Sequence, residues 1–244
     1  MPSVSIIIPT LNEATVIERT LRCLSILEPP ALEIVVVDRG SSDETVNIAQ
    51  KAGACVIRSS KSSRAIQMNT GASQAMGEYL CFLHADTLVM DDLVTLVNRT
   101  LAEPTVACAA FIPVIRGTTR IRWWFLLHSA LKTYYIPLVF RPQLFFLKRF
   151  RLLFGDQTMF CRRVQFLACG GFNAELPIME DADLCIKMLQ FGKIRQINRF
   201  VETCDRRIAK WGFLKANVIY LGIGVLWGLG VPAIYLKKFY ENVR

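Results

Sequence analysis

The chain has 244 residues, with 29 Lys and Arg against 20 Asp and Glu, a formal net charge of +9 and 52% hydrophobic residues. That length builds one large domain, or a domain with an appendage, and excludes a string of several. The positive charge gathers in residues 116–151 and 195–215 among aromatic and aliphatic side chains, which fits a phosphate-rich ligand or an anionic membrane surface and disfavours a nucleic-acid binder.

The first hundred residues alternate two patterns. Residues 4–9 are a short β-branched apolar run, and residues 13–27 follow with helical spacing, placing Val16, Ile17, Leu21, Leu24 and Leu27 on one side. Further strands are predicted at 34–38, 55–59 and 79–83, with helices at 43–52, 65–75 and 91–101. Short, nearly continuous apolar strands each followed by a helix indicate a parallel sheet covered on both faces. The predicted fold class is therefore α/β, an open doubly wound sheet that binds ligands at the carboxyl ends of its strands.

Beyond residue 103 the alternation breaks. Residues 106–115 read as a longer strand, 121–154 as an aromatic and basic stretch, 155–160 as a return to the sheet and 180–191 as a helix. Residues 216–236 carry no charge, long enough for a membrane span. Their glycines, Pro232 and the lysines at both ends fit an interfacial helix or helix pair at least as well, and burial in an oligomer is a third possibility. The expected division is 1–212 as the catalytic domain, with 1–103 its nucleotide-binding half and 104–212 its acceptor-side half, and 213–244 as an apolar helical appendage. The eight cysteines form no CxxC pair and no zinc spacing, so reduced thiols are expected. The N-terminus has no basic, leader-length apolar stretch, so no secretion signal is expected.

Neither GxGxxG after the first strand nor GxxxxGK[ST] occurs, which argues against a dinucleotide oxidoreductase or a P-loop enzyme. Polar residues stand at three predicted strand ends instead: Pro9, Thr10, Asn12 and Glu13; Asp38 with the run to Thr45; and His84 and Asp86. The spacings Thr10-x-x-Glu13 and Ser41-x-x-Glu44 also match helix capping boxes, which would account for Ser41 and Glu44 and, in part, for Glu13. Asp38 is required by neither box. Asp86 and His84 suit a hard divalent cation, although Asp86 can also cap the next helix and a lone His is often a plain hydrogen-bonding group.

These residues carry a resemblance. Ser5–Glu13, Val35–Asp38 with Ser42–Thr45, Arg64–Ala72, Phe82–Thr87 and Glu180–Leu184, in that order, resemble a family 2 glycosyltransferase of the GT-A fold. The run Arg64-Ala65-Ile66-Gln67-Met68-Asn69-Thr70-Gly71-Ala72, the run Leu83–Thr87 and Gly155-Asp156-Gln157 are similar to those of small bacterial radical-SAM/selenodomain-associated transferases. The likeness covers most of the chain. It implies a GT-A-type open, mostly parallel, Rossmann-like sheet flanked by helices, and inverting transfer of a single sugar from a nucleoside-diphosphate donor to an acceptor hydroxyl.

The resemblance also assigns roles. Asp86, with His84, would hold Mg²⁺ or Mn²⁺. Pro9, Thr10, Asn12, Glu13 and Asp38 would bind base and ribose. Arg64 would contact the donor, and Arg206 or Arg207 would clamp its diphosphate, since guanidinium matches phosphate in two-pronged fashion. Asp181 would be the general base and Glu180 would orient the acceptor, unless both belong to a solvated acidic helix start. Asp156 and Gln157 would line the acceptor pocket, or form an ordinary turn. A UDP-sugar is favoured as donor, with a GDP-sugar the alternative. The acceptor would be lipid-linked or membrane-located, and the enzyme would work at the cytoplasmic face.

Two departures matter: His84-Ala85-Asp86 lacks the first acid of the DxD motif, and no QxxRW follows the acidic motif, which disfavours a processive synthase. The rival readings are a metal-dependent nucleotidyltransferase, which normally needs a basic loop that residues 9–13 do not offer, and an inactive membrane-associated scaffold.

Overall fold

The structure is a computed structural model that describes residues 2–59, 63–116, 123–204 and 212–241. The strands are β1 (Val4–Thr10), β2 (Glu33–Asp38), β3 (Cys55–Arg58), β4 (Tyr79–Phe82), β5 (Thr87–Leu88), β6 (Val106–Arg116), β7 (Met159–Arg162) and β8 (Lys193–Cys204). The helices are α1 (Ala14–Ser25), α2 (Thr45–Lys51), α3 (Arg64–Gln74), α4 (Leu93–Leu101), α5 (Trp123–Phe140), α6 (Pro142–Leu147), α7 (Arg163–Ala168), α8 (Glu180–Met188), α9 (Phe213–Gly228) and α10 (Ala233–Glu241), with a 3₁₀ turn at Gly155–Gln157.

The strands form one sheet in the order β3-β2-β1-β4-β7-β6-β8-β5. The expected parallel half is β3-β2-β1-β4. Its register pairs Thr10 with Asp38, so the polar strand ends lie side by side. The second half mixes directions: β7 runs antiparallel to β4 and β6, β8 parallel to β6, and β5 antiparallel to β8.

Alternation along the central strands divides the core between the two sheet faces. Ile7, Val35, Val37, Leu80 and Phe82 meet Ala65, Met68 and Ala72 of α3 and Leu184 and Met188 of α8. Ile6, Ile8, Val36 and Cys81 meet Ile17, Leu21 and Leu24 of α1 and Val94, Val97 and Leu101 of α4. Because both faces are covered, these strands read as unbroken apolar runs. Gly71 belongs to the same logic, since a Cβ there would stand 2.6 Å from the Ile7 side chain and 3.0 Å from that of Val37.

Two sequence expectations are corrected. The strand predicted from residue 155 begins at Met159, after the 3₁₀ turn. The 12-residue strand β8 has no counterpart among the predicted elements; it occupies part of the basic stretch. Of the alternatives for the uncharged run 216–236, the structure shows a pair of helices and not a single span: α9 ends at Gly228, Gly230 takes φ +89°, and α10 starts after Pro232. No helix among the described residues is long and apolar enough to cross a membrane.

Candidate active site

The loops after β1 and β2 lock together through Asp38. Its Oδ2 accepts from the backbone N–H of Gly40 and of Ser41, both at 2.8 Å, and its Oδ1 accepts the hydroxyls of Thr10 and Ser41. Burial opposes ionisation, but the donors from Ser41, Gly40 and Thr10 outweigh it and hold the Asp38 carboxyl below its ordinary value. A carboxylate offers about four acceptor positions, and here the protein fills them. The capping boxes do not form: Glu13 and Glu44, which the boxes would place inside their helices, stand at the N-cap positions themselves and make no side-chain cap. Instead the loops cap one another across the crevice. Ser41 Oγ accepts from Asn12 N–H at 2.8 Å, Thr45 Oγ1 from Glu13 N–H at 2.8 Å and Asp43 from Ala14 N–H at 3.1 Å, while Asn12 Oδ1 accepts from Ser42 N–H at 2.9 Å. Asn12 takes φ +53° to do so, a conformation that Asn tolerates better than most residues.

Helix α3 ties the parallel strands to the second half of the chain. Gln67 is buried and donates to the carbonyls of Thr10 and Val37 at 2.9 and 2.6 Å. Asn69 donates to the Phe172 carbonyl at 2.7 Å and accepts from the Phe172 N–H at 2.9 Å, fixing the loop after α7. The first residue of α3, Arg64, reaches across to α8. Its Nε donates to Glu180 Oε1 at 2.7 Å, and its Nη2 lies 2.5 Å from the same oxygen and 3.2 Å from Asp181 Oδ2. Its Nη1 lies 3.1 Å from Nε2 of His84. Guanidinium only donates, so this Nε2 accepts and the ring proton belongs on Nδ1.

Glu180 and Asp181 are buried in the first turn of α8. They are therefore not the solvated acidic helix start that was the alternative. Met179, just before them, has φ +65°, which turns the helix start into the site at a cost in backbone strain. Asp181 Oδ2 also accepts from the Gly155 N–H at 2.8 Å. Desolvation pushes the Asp181 carboxyl up to about 7; Arg64 opposes the rise, and the charges of Glu180 and Asp156 add to it. The Arg64 guanidinium is desolvated too, yet the two carboxylates hold its affinity for the proton above the usual range. A carboxylate poised near neutral pH beside a fixed cation suits proton abstraction from a hydroxyl. Glu180 Oε2 is buried and has no protein hydrogen-bond partner.

The 3₁₀ turn approaches this cluster closely. A Cβ on Gly155 would stand 3.0 Å from both Asp181 Oδ2 and His84 Nε2, so only glycine leaves the carboxylate and the ring undisturbed. Asp156 lies 3.5 Å from Lys132 Nζ on α5. Gln157 is fully buried, donates to Thr133 at 3.1 Å and accepts from Phe154 N–H at 3.3 Å. It fastens the turn to α5, as in the ordinary-turn alternative, and does not line an open pocket.

Asp86 is half-buried beyond β4, on a turn held by the Thr87 N–H to His84 carbonyl bond at 3.2 Å. Among the described residues no three His, Cys, Asp or Glu side chains converge as a ready-made metal cage, and Nε2 of His84 is turned to a cationic side chain. Arg206 and Arg207 lie outside the described residues. Gly155, Gln67 and Asn69 were missed as site-forming residues, although the runs that contain them were singled out as motifs.

The sequence model for "Glycosyl transferase family 2" matches residues 5–171. The chain belongs to that family. It is 27% identical over 227 residues to a PGL/p-HBAD biosynthesis glycosyltransferase of Mycobacterium bovis (strain BCG / Pasteur 1173P2), covering 89% of this chain and 81% of the relative. It is 30% identical over 107 residues to the GalNAc(5)-diNAcBac-PP-undecaprenol beta-1,3-glucosyltransferase of Campylobacter jejuni, covering 41% and 35%. Among solved structures, the mannosyltransferase of Pyrobaculum calidifontis in complex with GDP-Man and Mn²⁺ superposes with TM-score 0.70 at 21% identity, over 94% of this chain and 63% of that one. The glucosyl-3-phosphoglycerate synthase of Mycobacterium tuberculosis with Mn²⁺, UDP and phosphoglyceric acid gives TM-score 0.67 at 19% identity, over 95% and 80%. The fold is thus the α/β GT-A type, and the chain is a glycosyltransferase.

Proposed function

We propose that this enzyme transfers a single sugar, with inversion, from a nucleoside-diphosphate sugar to an acceptor hydroxyl, and that Asp181 is the general base. The observation that carries the reading is the buried Glu180–Asp181 pair, clasped by Arg64 and the Gly155 N–H at the mouth of the parallel strands. Arg64 stays cationic and keeps Asp181 ionisable near neutral pH; the Gly155 N–H fixes which oxygen of Asp181 faces outward. The unpartnered Oε2 of Glu180 offers an acceptor position for a second hydroxyl of the incoming molecule. Direct in-line displacement then requires the acceptor oxygen to lose its proton to Asp181 as the bond from the sugar to the diphosphate breaks.

The donor would lie along the loops after β1 and β2, with Pro9, Thr10, Asn12 and Glu13 against the base and ribose. Asp38 would act there chiefly by holding the loops, since its acceptor positions are filled. A divalent cation suits the site through Asp86: one protein carboxylate completed by donor phosphates and water is a common arrangement for Mg²⁺, and solved relatives contain Mn²⁺ or Mg²⁺. Such an ion neutralises charge on the leaving diphosphate. His84, held by Arg64, would orient the clasp instead of ligating the metal. UDP is the favoured nucleotide and GDP the alternative, as each accompanies a structural relative. Arg206 and Arg207 remain the proposed diphosphate clamp. The acceptor would be lipid-linked or membrane-located, in keeping with the undecaprenol-linked substrate named for one relative, and the enzyme would act on the cytoplasmic face.

Calorimetric titration of UDP and of GDP, with and without Mn²⁺, tests the donor site. The reading predicts metal-dependent binding of one nucleotide that Asp86→Ala abolishes. Binding that ignores both metal and Asp86 would overturn the assigned metal ligand, and no binding of either nucleotide would overturn the assigned donors.

A further inference from the structure

The net charge of this protein is unevenly placed. Residues 104–155 and 206–240 contain fourteen of the 29 Lys and Arg residues and none of the 20 acids, so the remainder of the chain is net negative. The same two segments supply α5, α6, α9 and all of α10 except its last residue, Glu241, and these helices pack in sequence: α6 on α5, α5 on α9, α9 on α10. The contact of α5 with α9 is close, since a Cβ on Gly224 would stand 3.1 Å from Ile136 and one on Gly228 only 2.3 Å from the Phe140 ring.

The outward side of this layer is apolar where a water-facing helix should be polar. On α5, Thr133 and Ile136 are buried, while Leu131, Tyr134 and Leu138, spaced three and four residues apart on the other side, are exposed. The end of α6 presents Phe146 at 69% and Leu147 at 83% exposure, followed at once by exposed Lys148 and Arg149. Leu229 and Ile234 stand exposed around the break between α9 and α10. Apolar tips flanked by cations, with no acid in either segment, match the boundary between acyl chains and anionic headgroups. A span is not required, and no helix among the described residues is long and apolar enough to make one.

We propose that the outer face of this four-helix layer docks on an anionic lipid bilayer, with Phe146 and Leu147 entering the acyl boundary and Lys148 and Arg149 resting on headgroup phosphates. This deepens the reading of a membrane-located acceptor and rests on it only for its purpose. Lys132 and Thr133 on the inner side of α5 touch Asp156 and Gln157 beside the catalytic cluster. Docking through the outer side would thus hold the site about one helix thickness, roughly 10 Å, from the membrane surface.

The test is co-sedimentation of the full chain with phosphatidylcholine vesicles and with vesicles containing phosphatidylglycerol, at low and high salt. The proposal predicts binding to the anionic vesicles only, weakened by salt. Each surface cation contributes roughly fivefold, so Lys148→Ala with Arg149→Ala should weaken binding about 30-fold. Phe146→Ser with Leu147→Ser should weaken it at least about tenfold. Melting temperature and nucleotide titration should be unchanged in both variants, which separates a failure of docking from a failure of the transferase reading. Equal binding to neutral vesicles, no binding to either, or parental binding by both variants would overturn the proposal. So would a finding that the face instead joins two copies, with Phe146→Ser and Leu147→Ser dissociating a dimer, or that it retains RNA and not vesicles.

Discussion

Replacing Arg64 by Gln removes a cation that the structure sets against both Glu180 and Asp181, at 2.5 and 3.2 Å. Breaking a fully buried ion pair costs about 3–5 kcal/mol. The Arg64 side chain is 35% exposed, and solvent screening discounts the loss to about 2 kcal/mol. That energy weighs against the ionised form of Asp181, so Arg64→Gln should be destabilised more at pH 8, where Asp181 is charged, than at pH 5, where it holds a proton. The same energy acts on catalysis. Asp181 must be deprotonated to take the acceptor proton, and activity rises with pH through its value of about 7. Losing about 2 kcal/mol moves the rising limb up by about 1.5 pH units and cuts kcat/KM about 15-fold at pH 7 and about 30-fold below pH 6, with recovery toward pH 9. The assay is kcat/KM against pH for release of nucleoside diphosphate. An unshifted limb, with nucleotide binding lost instead, would refute the clasp and return Arg64 to donor contact alone.

Other consequences follow from the same geometry. The folded-state value of Asp181, about 7, exceeds its ordinary 3.8; the folded protein therefore keeps a proton that the unfolded chain has lost, and stability falls as pH rises between those values. Asp181→Asn should flatten that slope in urea unfolding at pH 4 to 8. Asp38 has the opposite sign: its lowered value gives stability above pH 3.8 that is lost on further acidification, and Asp38→Asn, which turns an amide N–H toward donors, should cost about 1–3 kcal/mol and weaken nucleotide binding. Gly155→Ala should lower kcat at least about tenfold with a small change in melting temperature, because its methyl group meets Asp181 and His84 at 3.0 Å. Asn69→Ala, which orphans both backbone groups of Phe172, should cost about 1–3 kcal/mol by urea titration.

What was legible in the sequence follows from burial. β1, β2 and β4 are covered on both faces, so their residues form apolar runs that mark them directly. β8 was illegible because it is mostly half-exposed: Ile194 and Val201 are buried, but Arg195, Asn198 and Arg199 break any apolar run, and its pairing with β6 depends on register shifts that no local pattern announces. The capping boxes were misread because the spacing test sees only one segment, whereas Thr45 and Ser41 serve N–H groups about 30 residues away. In the site, the strand-end carboxylates and the acidic pair stood out as residue types. The clasp did not, since Arg64 meets Glu180 across 116 residues of chain. The burial of Gln157 against Thr133 was hidden for the same reason.

The most direct test of the account is turnover by Asp181→Asn beside the parent enzyme. UDP- or GDP-sugar is supplied with a membrane lipid extract as acceptor, and released nucleoside diphosphate is measured. The account predicts release by the parent, and in the variant unchanged metal-dependent nucleotide binding with kcat reduced by about a hundredfold or more, the usual worth of a general base. A variant that turns over as fast as the parent would contradict the assignment of Asp181 as the base on which the mechanism is built.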